Sequence, residues 1–407
     1  MQSSNKRLVK FSNNTENNAV ILVLLFAFFL RILFLVFYPE QHFPDAIAYR
    51  HIGEQIFSGD TISNNIYMPL YPIITYLTGG NVFQIIFDVF ISVVSIWIIY
   101  LLSLHLFKDR FSAILSSIIA ALYPHYIFYS ISGLTEVFFT FLLLLYFLMF
   151  YKKRYILAII ISILAILVKP TFDLLNPVLI ILFVGFVHSS GWRKVIKYLS
   201  IYTLAYIVIM APWWIHQHDK YGSFVRLSLG DGVVLYSGNN PLNKTGGGIG
   251  RPSGDSDMDL EQFSYIQDPV IRNNEMKKQA LDYIVNNPRR FLELAGIKFL
   301  RFWRLWPHTE HYQQWYIVAT SLLSYGSVLF LSIGFVVTHS KNYIRNLIPL
   351  FALITYLTLI HMITIGSIRY RFPLEPFLII FAGYFLTSIF KNKSWFIKFE
   401  DKIFGKH

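Results

Sequence analysis

Six ionisable residues interrupt stretches of the chain that are otherwise almost wholly apolar: Arg31, Asp88, Glu136, Lys169, Asp173 and Glu375. Charged groups in such settings are expensive and are usually kept for function. Carboxylates and cations held out of bulk water are suited to taking up a proton or steadying a developing charge. Three more charged residues stand at the edges of apolar runs: Asp45, Arg369 and Arg371. Each has a plainer reading as well. Asp45 and Tyr49 have helical spacing, so Asp45 is either a carboxylate near a helix start, favoured there by the dipole, or simply an N-cap. Glu375 lies four residues after Arg371 and could pair with it alone. His308-Thr-Glu-His311 could join Asp45 around a divalent metal such as zinc, or form ordinary polar surface. The chain has no cysteine, which excludes thiolate catalysis and disulfides.

The elements that position these residues follow from composition. Of 407 residues, 55% are hydrophobic, 18% aromatic and only 14% charged. That is far from a soluble domain and implies an all-α polytopic membrane protein. Ten apolar runs are long enough to be candidate spans: about 19–38, 82–107, 111–130, 134–151, 155–168, 172–188, 197–214, 315–337, 346–365 and 372–390. The fifth and sixth are short and are separated by Lys169-Pro170. The first reads as a retained anchor. With the N-terminus in the cytoplasm, eighteen lysines and arginines fall inside: Lys6, Arg7, Lys10, Lys108, Arg110, Lys152 to Arg154, Arg193, Lys194, Lys197, Lys341, Arg345 and five lysines beyond 390. The short outer segments hold four: Arg50, Lys169, Arg369 and Arg371. This bias sets the orientation and accounts for much of the net charge of +12, so no nucleic-acid partner is needed. All six intramembrane charges then fall in the outer half, which implies one polar cavity open outward. A transporter would place its polar site near the midplane.

The resulting organisation is a cytoplasmic tail over 1–18, membrane helices over 19–214 interrupted by a first outer loop at 39–80, a large outer loop at 215–313, further helices over 314–390, and a second cytoplasmic tail over 391–407. Short surface helices are expected in the first loop. The large loop is rich in Gly, Asn and Pro around 237–255 and reads as turns rather than sheet. Its part over 275–304 has helical periodicity. Leu292, Ala295, Phe299, Phe302 and Trp303 share one arc, and Arg290, Lys298, Arg301 and Arg304 share another. That pattern predicts an interfacial helix with its apolar arc on the membrane lipids and its cations at their phosphates.

An aspartate soon after the first apolar run, a tyrosine four residues on, and Pro69-Leu-Tyr-Pro72 about 25 residues later resemble the C-type membrane glycosyltransferases. In particular the pattern is similar to bacterial relatives of the protein mannosyltransferases and of the aminoarabinose transferase of lipid A. The resemblance continues through Tyr123-Pro-His-Tyr-Ile-Phe-Tyr-Ser130, Leu134-Thr-Glu136, Val168-Lys-Pro-Thr171, Ala211-Pro-Trp-Trp214, Gly222-Ser-Phe-Val225, Gly238-Asn-Asn-Pro241, Asn287-Pro-Arg-Arg-Phe291, Lys298-Phe-Leu-Arg-Phe-Trp303 and Arg369-Tyr-Arg-Phe-Pro-Leu-Glu-Pro376. The protein mannosyltransferases carry Asp-Glu in the first loop where this chain has Asp45-Ala46, which weakens the case for a protein acceptor.

The resemblance implies a C-type (GT-C) bundle of about ten spans in the cytoplasmic (inner) membrane of a bacterium, active at the outer face. It implies transfer of a sugar from a polyprenyl-phosphate donor to a hydroxyl on a lipid, polysaccharide or protein acceptor, with inversion at the anomeric carbon. On that reading Asp45 is the base, with Glu136 the second choice, and Lys169, Arg369 and Arg371 hold the donor phosphate. Tyr49, Tyr71 and Glu375 support them. Arg369 and Arg371 point about 200° apart on a regular helix, so both reach one phosphate only if residues 366–370 are irregular, as Gly366-Ser367 favours. No cofactor is required, and a divalent metal is an option with His308 and His311 as ligand candidates. Two alternatives remain: a flippase of lipid-linked sugars, and a structural scaffold.

Overall fold

The computed structural model describes residues 14–38, 43–59, 66–248, 260–308, 312–391 and 393. His311 and most of both expected tails lie outside these residues. The described chain is helical throughout. The elements that matter here are α1 (Asn14–Phe37), α2 (Pro44–Ser58), α3 (Leu70–Leu77), α4 (Asn81–Phe107), α5 (Arg110–Leu122), α6 (Pro124–Ser130) and α7 (Thr135–Tyr151). There follow α8 (Tyr155–Ile166), α9 (Leu175–Val187), α10 (Trp192–Tyr221), α11 (Asp231–Gly238), α12 (Pro269–Asn286), α13 (Pro288–Phe302), α14 (Trp315–Thr338), α15 (Ser340–Ile363) and α16 (Ile368–Phe390).

Every expected apolar run is a helix or helix pair. Six of them, α1, α4, α10, α14, α15 and α16, are long and apolar enough to cross a membrane alone. Helices α5 and α6 form one pair bent by 56°. The bend is local chemistry: Tyr123 is extended at φ −71°, ψ 115°, the conformation a residue preceding proline prefers. The same rule breaks α8 from α9, where Lys169 before Pro170 is extended at φ −136°, ψ 114°. Helices α7, α8 and α9 are 10–17 residues long, short of the ~20 a lone span needs.

Helix α16 lies deep in the bundle, with 72% of its apolar window buried, whereas α1 and α10 bury 17% and lie at its edge. Small residues let the central helices close up. A Cβ on Gly383 of α16 would lie 2.2 Å from Ser116 Oγ of α5. Helix α7 is buried on nearly all sides, which explains its uniformly apolar sequence.

The first loop carries two short helices, α2 and α3, as the sequence predicts. The large loop folds around a small core of its own, Tyr236, Phe263, Met276 and Ala280. Its helix α10 runs on to Tyr221, past the expected end near 214, and Trp213 and Trp214 donate their indole N–H groups to the carbonyls of Leu227 and Arg226. Helix α13 departs from the interfacial reading. Of the apolar arc, Leu292 and Phe299 are exposed, but Ala295 and Phe302 are buried. The cationic arc faces protein: Arg290 donates to the Asn243 carbonyl, Lys298 to that of Ile363, and Arg301 to that of Gly366. The Asn243 and Gly366 carbonyls lie in irregular segments and that of Ile363 at the last residue of α15, so all three must find donors outside a helix.

Candidate active site

Four segments distant in sequence meet where the first loop folds onto the bundle. Leu70 at the start of α3 donates its N–H to the Leu167 carbonyl at 3.0 Å, tying the first loop to the α8–α9 break. Asp45 lies in the first turn of α2. Phe43 is the N-cap and no side chain caps this helix, so the carboxylate is turned away to tertiary partners instead. Tyr67 donates its hydroxyl to Asp45 Oδ1 at 2.7 Å, and Arg369 Nη1 pairs with Asp45 Oδ2. The same guanidinium reaches Glu136 Oε1 through Nε at 2.6 Å, and Lys169 Nζ meets that oxygen at 2.6 Å. Glu136 is fully buried, while the Asp45 and Arg369 side chains keep 29% and 26% of their exposure. Two carboxylates and two cations thus form one closed set of charges with Asp45 at its rim.

Aromatic rings wall this set. Lys169 Nζ lies 5.8 Å from the Phe139 ring centre and 5.7 Å from that of Tyr370, and Tyr370 stacks on His361 at 4.6 Å. Tyr49 is buried and meets Tyr67 and Tyr71 edge-on at 4.8 and 5.2 Å. Tyr71 does not reach the carboxylates of the set. It donates to Asp88 Oδ2 at 2.7 Å and accepts from Gln84 at 2.7 Å, so its support is through the Tyr49 ring. Tyr67 was not among the sequence candidates. Its signal was its place in the segment Tyr67-Met-Pro-Leu-Tyr-Pro72, 22 residues after Asp45. Burial and the Asp45 carboxylate raise its phenol well above the usual range, which keeps it a donor.

Arg371 is elsewhere. Residues Ile368–Arg371 are helical after all, with Ser367 as N-cap, so the two arginines diverge. Arg371 is fully buried. Its Nε donates to Glu375 Oε1 at 2.9 Å, and its Nη1 donates to the carbonyls of Phe302 and Arg304 at 3.0 and 2.6 Å. Its guanidinium lies over Tyr325, and Glu375 also meets His125 Nδ1 at 3.0 Å. The sharing of one phosphate by Arg369 and Arg371 is therefore corrected.

The single outward cavity is corrected too. Asp173 pairs with Arg226 of the large loop, Asp88 with Tyr71, and Arg31 with Ser92 and backbone carbonyls. Each finds its partners away from the Asp45–Arg369 set, with one atom of each, Asp173 Oδ1, Asp88 Oδ1 and Arg31 Nη2, left without a partner among the described residues. His308 uses both ring nitrogens, one toward Arg304 Nη1 at 3.2 Å and one toward the Arg301 carbonyl at 2.9 Å. Burial and the nearby Arg301 push it down to about 3. Among the described residues no three His, Asp or Glu side chains are grouped to hold a metal. The two carboxylates of the site already face Arg369 and Lys169 where an ion would have to lie, so this donor set does not fit a divalent cation.

No family model and no curated protein matches the sequence. The structure is similar to solved structures of the oligosaccharyltransferase of Archaeoglobus fulgidus. With the apo form the TM-score is 0.58 at 13% identity, covering 98% of this chain and 53% of that one. With the form tethered to an acceptor peptide containing the NVT sequon it is 0.59 at 14%, covering 98% and 52%. With the form in complex with an inhibitory peptide and a dolichol-phosphate it is 0.54 at 13%, covering 96% and 52%. The chain spans about half the length of these proteins. At this identity the likeness is one of fold: the described residues form an all-α bundle, six of whose helices are long and apolar enough to cross a membrane, with the fold of these structures.

Proposed function

We propose that the protein is an integral-membrane glycosyltransferase that moves a sugar from a polyprenyl-phosphate carrier to an acceptor hydroxyl at the outer face of a bacterial cytoplasmic membrane. The observation that carries this reading is the partly exposed Asp45 in one charge cluster with Arg369, Glu136 and Lys169. A transfer of this kind needs a base for the acceptor hydroxyl and fixed cations for the leaving phosphate. The acceptor O–H gives its proton to Asp45 as its oxygen attacks the anomeric carbon. The bond from that carbon to the phosphate oxygen breaks, its electron pair stays on the phosphate, and the anomeric centre inverts. Arg369 presents the planar fork suited to a phosphate, with Lys169 beside it.

Before the donor arrives Arg369 masks Asp45. A phosphate competing for the guanidinium would free the carboxylate, so the base is released when the donor is in place. Glu136 is the poorer base because both cations hold the same oxygen. The dolichol-phosphate and peptides in the archaeal structures support a lipid-phosphate donor and leave the acceptor open among lipid, polysaccharide and protein. The test is to incubate the purified protein in vesicles with a glycosyl polyprenyl phosphate and envelope extract. Free polyprenyl phosphate together with glycosylated product is the expected result. Donor crossing the bilayer intact, with no release, would make the protein a flippase instead.

A further inference from the structure

Lys298 of α13 is fully buried and has no carboxylate partner among the described residues. Its Nζ donates to Asn239 Oδ1 at 3.0 Å and to the Ile363 carbonyl at 3.1 Å. Asn239 donates to that same Ile363 carbonyl at 2.8 Å. Three segments cross at this point: the turn after α11, helix α13, and the linker from α15 to α16. The crossing is further sewn by Gly366 N–H to the Gly246 carbonyl at 3.1 Å and by Arg301 Nε to the Gly366 carbonyl at 3.1 Å. The backbones are in van der Waals contact. A Cβ on Gly238 would lie 1.8 Å from the Thr364 carbonyl oxygen, and one on Gly366 would lie 2.5 Å from that of Lys298. One residue past Gly366, Ser367 Oγ accepts the Arg369 N–H at 3.3 Å, and Arg369 then enters the charge cluster.

We propose that Lys298 is a positioning residue for the transfer reaction: it locks the 363–366 linker against the turn at 239–248 and so fixes where Arg369 meets the donor phosphate. The proposal rests on the functional reading above. Ile363 lies six positions before Arg369, and the backbone between them is pinned at 363 and again at 366. It also makes the turn at 239–248 part of the donor site without touching the donor.

Two variants test this from opposite sides of the crossing. Lys298→Met keeps the stem and removes both donated bonds. Asn239→Ala removes the bridge from the turn and does not depend on burying a new side chain. Initial rates with varied glycosyl polyprenyl phosphate should show a donor KM about tenfold higher in both, with kcat within twofold of the parent. Lys298→Gln, which keeps N–H donors, should recover part of that loss. A merely structural role would lower kcat through lost active protein and leave KM alone; that result, or unchanged KM in both, overturns the proposal. If Lys298→Met fails to fold, Asn239→Ala decides. A parent protein that releases no polyprenyl phosphate fails the functional reading itself, and the proposal with it.

Discussion

Arg369 and Arg371 are two residues apart and live in opposite worlds. Arg371 pairs with Glu375 one turn along the same helix, sealed from solvent beneath Phe302 and Arg304 carbonyls. Arg369 pairs with Asp45 and Glu136, hundreds of positions away in sequence, and keeps about a quarter of its exposure. A pair within one helical turn forms as soon as the helix does. A pair drawn from separate segments exists only when the whole bundle is assembled, and its exposed rim leaves it able to trade a carboxylate for a ligand. Chemistry is to be sought in the second kind, and architecture in the first.

The sharpest way to break that contrast is Arg371→Ala. It strands Glu375 with His125 and frees two carbonyls, so thermal unfolding in detergent should show a loss of about 3–5 kcal/mol. Arg369→Ala should cost much less stability and instead weaken donor binding. Equal destabilisation by the two would erase the distinction. Next in size is Asp45→Asn, which keeps the bond from Tyr67 but removes the proton acceptor. Transfer should slow by about 10²-fold, about 2.7 kcal/mol, with unfolding unchanged; a variant turning over near the parent rate would shift the role of base to Glu136.

A further effect, spread over a pH window, concerns a cation belonging to neither arginine set. Burial pushes the Lys298 ammonium down from 10.5 to about 7. Between those values the unfolded chain holds more protons than the folded one, so stability rises with pH across that window, by at most about 1.4 kcal/mol per pH unit. Below about 7 both states are protonated and the burial penalty is complete. Lys298→Met should flatten the rise; unfolding profiles of parent and variant that run parallel from pH 7 to 10 would contradict this.

The apolar runs were legible in the sequence, as were Glu136 and Lys169, because a charge in an apolar stretch stands out; Asp45 and Arg369, at the edges of such runs, were singled out by the resemblance. Which of them meet was not legible. Hydrophobic patterning says what avoids water, not what pairs, so Asp173, Asp88 and Arg31 were assigned to one cavity although they pair separately with Arg226, Tyr71 and Ser92. The helical wheel of α13 found the cationic arc correctly and misassigned its partner, since the carbonyls of irregular segments at 243 and 366 and of the end of α15 at 363 leave no mark in a sequence. The helical turn at Ile368–Arg371 formed despite Gly366-Ser367 because Ser367 caps it.

The bend between α5 and α6 has a consequence for how the protein is made. The break at Tyr123-Pro124 interrupts the helical bonding that would satisfy the Ala121 carbonyl, and Arg31 Nη1 reaches it at 3.3 Å while Arg31 Nε donates to Ser92 at 2.8 Å. Helix α1 leaves the ribosome before α4 and α5, with its arginine already aboard and the Ser92 and Ala121 partners still unsynthesised. An arginine at the bilayer centre costs about 2.5–3.5 kcal/mol on insertion scales; Arg31 lies nearer the end of α1, in a helix otherwise almost wholly apolar. The first helix therefore enters the bilayer carrying an unmet need, and its place in the bundle is fixed only when the third apolar stretch arrives with a carbonyl to spare.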